Sequence, residues 1–295
     1  MEKNYSYRYQ ENTQYGSVKE SDKSLRTATM LFFSLISLLV MFPLVVFIIA
    51  SFRPGQDLLR NGLSLIIDPE RMSFDNYKFL FAGEHHYFLW FKNSVVLAVV
   101  QVVFTLIVCY IVAYGLSMYH YKLRSLLFFL VIATMMVPFE ILMLPLYVEI
   151  INLGLINTMG GVVIPGLCAT GTIFFFRQYL ITLPKELLDA GRIDGASEYR
   201  ICFTIIMPLT KPAFAAMGIL CAMGSWNSML WPLLVYRDQD KFTLPIGLNT
   251  LLTPYGNDYD LLIAGSVFSV IPILILFLFF QRYFIEGMSV GSIKG

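Results

Sequence analysis

The chain has 295 residues, of which 57% are hydrophobic and 14% charged, and its 21 Lys plus Arg against 20 Asp plus Glu give a net charge of +1. An ordinary soluble domain carries roughly 45–50% apolar and about 25% charged residues, so this composition excludes a typical water-soluble globule. The near-neutral balance excludes the basic field that nucleic acid would require. Four cysteines, Cys109, Cys168, Cys202 and Cys221, match neither a disulfide framework nor a metal spacing, and read as small apolar fillers.

A hydrocarbon core of about 30 Å takes roughly 20 apolar residues in a helix. Six stretches meet this requirement, at residues 27–52, 94–118, 126–147, 155–176, 212–236 and 261–284. The expected fold is therefore an all-α polytopic membrane protein with six transmembrane helices. A polar tail of residues 1–26 precedes the first stretch, which is longer than a signal-peptide core and reads as a retained helix. Pro43, Pro138, Pro145, Pro165, Pro232 and Pro272 fall inside the spans, and Gly160, Gly161, Gly166 and Gly171 crowd the fourth. Such breaks survive in a membrane where neighbouring helices or a wet cavity satisfy the freed backbone groups. A packed bundle around a path follows.

Lys and Arg concentrate on the cytoplasmic side of membrane proteins. The amino tail holds Lys3, Arg8, Lys19, Lys23 and Arg26; the second connection holds Lys122 and Arg124; the fourth holds Arg177, Lys185, Arg192, Arg200 and Lys211; the carboxyl tail of residues 285–295 follows Arg282 and holds Lys294. Fewer lie in the opposite loops, 53–93 and 237–260, so both termini are expected in the cytoplasm.

Several activities lack the residues they need. There is no P-loop, so any ATP drive must come from a partner. Gly287, Ser289 and Gly291 spell a hydrolase-like GxSxG, but they follow a membrane helix rather than a strand, and no histidine lies downstream. His85 and His86 beside Glu84 lack the further ligands of a metal site. The expectation is no metal and no cofactor in this chain.

The connection 177–211 carries the sharpest local signal. Pro184 suits a first helical turn, and Leu187, Leu188 and Ile193 supply apolar contacts. Gly195 suits a left-handed stop, and Ser197 can cap a second helix running through Ile201 and Ile205 to Pro208. Helix, tight turn and helix make a knob at the membrane face.

The run Pro184, Lys185, Glu186, Leu187, Leu188, Asp189, Ala190, Gly191, Arg192, Ile193, Asp194, Gly195, Ala196, Ser197 resembles the EAA loop of ABC-importer permeases, and Pro208, Leu209 and Pro212 continue the pattern. Asp189 and Gly191 stand where that family usually has Glu and Ala. Gly191 costs about 1 kcal/mol of helix propensity, which predicts a shorter or looser helix. Asn93, Ser94, Asn157, Thr158, Trp226, Asn227, Leu230, Trp231, Pro232, Gln281, Arg282, Tyr283, Gly287 and the tail Gly291 to Gly295 extend the resemblance to the carbohydrate-uptake branch, and to the smaller permease subunit of maltose-type transporters.

The resemblance implies a type I ABC-importer bundle spanning 27–284, with 177–211 as the coupling loop. It implies a bacterial or archaeal cytoplasmic membrane and four kinds of partner: a second permease, two ATPase subunits that bind ATP and Mg, an extracellular solute-binding protein and the sugar. Coupling is expected at Glu186, Asp189, Ala190, Gly191, Asp194, Gly195 and Ala196. The intramembrane candidates for the sugar path are Gln101, Glu140 and Asn227, each of which could equally bridge helices, with Trp226 and Trp231 as ring faces. Pro254, Tyr255, Gly256 and Asn257 mark a turn that resembles the loop reaching into the binding protein. An amino-acid, peptide or ion permease, or an ion-coupled transporter, is the alternative.

Overall fold

The structure, a computed structural model, describes residues 20–55, 62, 68–82, 86–253 and 256–289. Among these residues, three helices are long and apolar enough to cross a membrane as single rods. They are α1 (Glu20–Ser51), α3 (Tyr87–Met118) and α13 (Tyr259–Ser289). A short helix, α2 (Asp75–Phe81), sits between the first two.

The other spans are bent pairs, broken close to the prolines and glycines that mark the sequence there. The third consists of α4 (Arg124–Met135) and α5 (Phe139–Asn152), meeting at 101°. Pro138 causes the break. It lacks an N–H and disfavours helical backbone at Val137, and its own ψ of 137° is extended. The fourth consists of α6 (Met159–Gly166) and α7 (Thr170–Leu180), bent by 46°. The fifth follows α9 (Glu198–Leu209) into α10 (Lys211–Trp226) through a 78° bend at Thr210. Residues 227–229 then interrupt it before α11 (Leu230–Val235), so the expected single span 212–236 is two helices.

Breaks of this kind leave backbone carbonyls unpaired, and helix α3 supplies the missing donors. Thr105 Oγ1 donates to Gly166 O at 3.4 Å, and Cys109 Sγ donates to Leu167 O and Ala169 O at 3.3 and 3.5 Å. Thr105 and Cys109 are four residues apart and share a helix face. Cys109 is therefore more than apolar filler, because its thiol serves the hinge of the fourth span.

At one end of the bundle, Leu188, Ile201 and Ile206 from the 177–211 connection share a core with Tyr110 and Tyr114 of α3 and with Phe176 and Leu180 of α7. At the other end, α12 (Leu244–Thr250) packs on α3, and a two-rung antiparallel ladder pairs β1 (Leu252–Thr253) with β2 (Gly256–Asn257). Leu80, Tyr87, Trp90, Trp226, Leu244 and Leu261 form the core there. Helix α1 is held at its carboxyl end, where Asn76 Nδ2 donates to Ser51 O and Arg53 O and Asp260 Oδ1 accepts from Gly55 N. Its apolar residues from Leu25 to Phe42 are exposed, as suits a lipid-facing span.

Candidate functional site: knob, cavity and outer loop

The knob forms much as its sequence dictates. Helix α8 (Glu186–Ile193) starts two residues after Pro184, whose carbonyl accepts from Leu187 N, and it carries Glu186 and Asp189 in its first turn. Gly195 adopts φ +76°, and Ala196 N donates back to Gly191 O at 2.9 Å, which closes the helix end. Ser197 Oγ then accepts from Arg200 N and caps α9. Asp194 lies at the end of α8, followed by Gly195 at the apex.

Two expectations change. Ile193 is 86% exposed instead of packing with Leu187 and Leu188. At 100° per residue, it lies about 140° around the helix from Leu188, whereas Gly191 falls on the buried stripe. Gly191 also does not loosen α8, which is continuous. It is buried, and a Cβ there would lie 3.0 Å from Ile201 Cγ1 and 3.1 Å from Ile205 Cδ1. The missing side chain lets α9 approach closely.

Inside α9, residues Ile201–Ile206 form a π-turn just before Met207 and Pro208. Cys202 O accepts from Met207 N, which closes the wider turn, and also from Tyr110 Oη at 3.0 Å. Arg192 braces the knob, reaching Glu198 Oε1 at 2.7 Å and Asp189 Oδ1 at 3.3 Å, and Tyr119 Oη donates to Glu198 Oε2 at 2.7 Å. The Arg192 bond first, then the Tyr119 bond, hold the Glu198 carboxyl below its ordinary range. A depressed carboxylate pKa stabilises the folded form above the ordinary range and is lost as pH falls through the depressed one. The clasp is thus fully formed at neutral pH.

A cavity of about 250 Å³ lies where α3, α6, α10 and α11 converge. Gln101 and Thr105 of α3, Ser225 of α10, Ser228 and Trp231 line it with Phe139 and Gly166. Gln101 Nε2 donates to Thr105 Oγ1 at 3.0 Å. A Cβ on Gly166 would come within 2.7 Å of that amide nitrogen, so Gly166 makes room for Gln101. Trp231 is 6% exposed; its indole N–H donates to Val162 O at 3.3 Å, and its ring meets Phe139 edge-on at 6.0 Å. The lining contains no Asp, Glu, Lys, Arg or His.

The structure thus brings Gln101 and Trp231 together and leaves the other path candidates elsewhere. Trp226 is a core residue, packed edge-on against Phe91 at 5.5 Å. Asn227 is exposed at the end of α10, and Glu140 is exposed in the first turn of α5. Thr105, Ser225 and Ser228 were not singled out from the sequence. The four-residue spacing of Gln101 and Thr105, and the three-residue spacing of the serines, were the available signals.

At the opposite end from the knob, Asn157 (φ +60°) organises the 237–241 loop. Its Nδ2 donates to Asp238 Oδ2 at 2.6 Å, its Oδ1 accepts from Arg237 N at 3.1 Å, and its carbonyl accepts from Lys241 Nζ at 2.8 Å. Arg237 also bonds Tyr147 Oη. Asn93 Nδ2 donates to Asp240 O and Phe242 O, while Ser94 Oγ accepts from Leu244 N at 2.7 Å. Thr158 Oγ1 accepts from Gly161 N and caps α6. Asn157→Ala should free the loop and cost about 1–2 kcal/mol, measured as a lower unfolding temperature and faster proteolysis between residues 237 and 243. Of the predicted contact turn, Gly256 and Asn257 lie in β2, and Pro254 and Tyr255 fall outside the described residues. The His85 and Glu84 of the possible metal site also lie outside them; among the described residues no cluster of three metal-binding side chains occurs.

These features define a polytopic helical membrane protein with a mostly apolar cavity that carries a few uncharged polar groups, and a knob projecting from one face. Residues 107–290 match the family described as the inner membrane component of binding-protein-dependent transport systems, and the chain belongs to that family. It is 52% identical over 270 residues to the arabinooligosaccharides transport system permease protein AraQ of Bacillus subtilis, covering 92% of this chain and 96% of that protein. It is 33% identical over 261 residues to the lactose transport system permease protein LacG of Rhizobium radiobacter, covering 88% and 93%. In fold, it resembles a chain from a crystal structure of a bacterial ABC transporter involved in the import of the acidic polysaccharide alginate. That match has a TM-score of 0.78 and 24% identity, and it covers 90% of this chain and 98% of the other.

Proposed function

We propose that this chain is the permease subunit of an ATP-driven, binding-protein-dependent importer of neutral oligosaccharides. Arabino-oligosaccharides are the first class to test, since the AraQ relative carries that name. The observation that carries the reading is the cavity, which offers an amide, three hydroxyls and an aromatic wall with no ionised group. Sugar hydroxyls pair with such donors and acceptors, and a sugar ring's apolar face lies well against Trp231 or Phe139. A charged amino acid or ion in the same place would be left without a counter-charge, at a cost of several kcal/mol. That argument favours a neutral cargo over the alternative of an amino-acid, peptide or ion permease.

In this reading the knob, presented on the cytoplasmic face, seats in a cleft of an ATPase subunit, and closure of the ATPase pair around ATP and Mg carries the knob with it. Both termini are then cytoplasmic. A second permease supplies the other half of the path, and a binding protein delivers the sugar at the opposite face, against loops pinned by Asn157 and Asn93.

The test is uptake of labelled arabino-oligosaccharides by the assembled transporter, with amino acids and glycerol phosphate as competitors. Only the oligosaccharide should be taken up and should compete; preferential uptake of a charged solute would reject the reading. Gln101→Leu should reduce uptake roughly tenfold by removing one buried hydrogen-bonding group, while the amount of assembled complex stays the same.

A further inference from the structure

We propose that Arg124 and Arg177 form a seat for the phosphate of an anionic phospholipid, in the leaflet on the knob side of the protein. Arg124 opens α4 and Phe128 lies one turn further on the same face; on α7, Phe174 and Arg177 are three residues apart. The Phe128 and Phe174 rings stack at 6.1 Å with 10° between planes, and the Arg177 guanidinium lies 3.6 Å above the Phe128 ring. The two guanidinium groups act on each other across this contact. Two like charges are therefore held together by aromatic packing.

No described residue neutralises them. Among the described residues, no carboxylate pairs with either arginine. Arg177 Nε is buried without a hydrogen-bond partner, and Arg124 is bonded only weakly, through Nη1 to Tyr119 O at 3.4 Å. Each guanidinium has five N–H donors, so most of the ten remain available. A phosphate diester offers the negative charge and the acceptor oxygens that this fork geometry matches.

The surroundings select a lipid as the source of that phosphate. Leu123 and Leu127 flank Arg124 and are 59% and 43% exposed, which provides an apolar bed for acyl chains directly beside the cation pair. Basic pockets between membrane helices at headgroup level recognise anionic lipids in this way. Arg177 also opens the connection that carries the knob, so an occupied seat would brace the root of that connection.

The test uses the assembled transporter in lipid discs of phosphatidylcholine with a minor fraction of phosphatidylglycerol, read by native mass spectrometry of retained lipid. Wild type should retain phosphatidylglycerol in preference to phosphatidylcholine, and each arginine replaced, as R124Q or R177Q, should lower that retention about fivefold. R124K and R177K keep the charge but not the fork, so each should retain an amount between wild type and the glutamine variants, which shows that the loss does not reflect misfolding. Equal retention by wild type and R124Q/R177Q would overturn the proposal. So would displacement of the lipid by inorganic phosphate alone, which would make the pair a free-anion site. The readout is lipid binding, so it stands or fails separately from the identity of the transported sugar.

Discussion

Gly195→Trp should leave the protein assembled in the membrane and reduce sugar uptake to background. Gly195 sits at the apex of the knob with φ +76°, a conformation that costs an L-residue about 1–2 kcal/mol. Among the described residues, its two chain neighbours apart, no heavy atom lies within 4 Å of a Cβ built there, so the indole points outward into the space the ATPase cleft would occupy. Strain and bulk are separable. Gly195→Ala carries the backbone cost with little volume and should lower uptake only a few-fold, whereas Gly195→Trp adds the obstruction. Labelled-oligosaccharide uptake, immunoblots of the membranes and co-purification of the ATPase subunits make the comparison. Wild-type uptake by Gly195→Trp at normal protein levels would refute a seated knob.

Gly191→Leu should uncouple the transporter from within. Its side chain would have to enter a space where even a Cβ meets Ile201 Cγ1 at 3.0 Å, Ile205 Cδ1 at 3.1 Å and Ile201 Cδ1 at 3.3 Å. Overpacking of this kind costs about 1–3 kcal/mol, and the relief available is to push α8 away from α9. Leu188, Ile201 and Ile206 belong to the core shared with α3 and α7, so the shift would detach the knob from the bundle. Uptake should fall more than about tenfold, with Gln101 and Trp231 untouched. Gly191→Ala asks the flexible isoleucine ends to give by a few tenths of an ångström and should cause a partial loss. Ile201→Val in the same chain removes Cδ1, one of the three crowding atoms, and should recover part of that loss. A Gly191→Leu protein with full uptake, or an Ile201→Val change that merely adds its own loss, would contradict this packing account.

The knob was legible because its instructions are local. A glycine able to turn left at Gly195, a serine able to cap at Ser197 and apolar residues at Leu187 and Leu188 specify the turn without reference to the rest of the chain. Long apolar stretches likewise announced the spans. The bends were less readable: Pro138 flagged a break, but the 101° angle between α4 and α5 depends on what α5 packs against. The proposed sugar path was half legible for the same reason. Gln101 and Trp231 converge because α6 and α11 bring Val162 and Trp231 together, while Trp226, five residues earlier, is turned into a different core by the break at 227–229. No period in the sequence separates those two tryptophans, since the break itself is set by tertiary packing. Ile193 was misplaced because a short polar helix offers too few turns for its buried stripe to stand out.

Helix α3 carries on one unbroken rod Gln101 beside the cavity, Thr105 and Cys109 under the hinge of the fourth span, and Tyr110 bonded to the π-turn of α9. Nine residues separate Gln101 from Tyr110, about 14 Å along the axis at 1.5 Å per residue. In the proposed importer, a stroke delivered at the knob would reach the cavity through this single stiff crank. Flexing of the hinge and displacement of the Gln101 amide would then be parts of one motion, tying release of a solute from that wall to the turning of the knob.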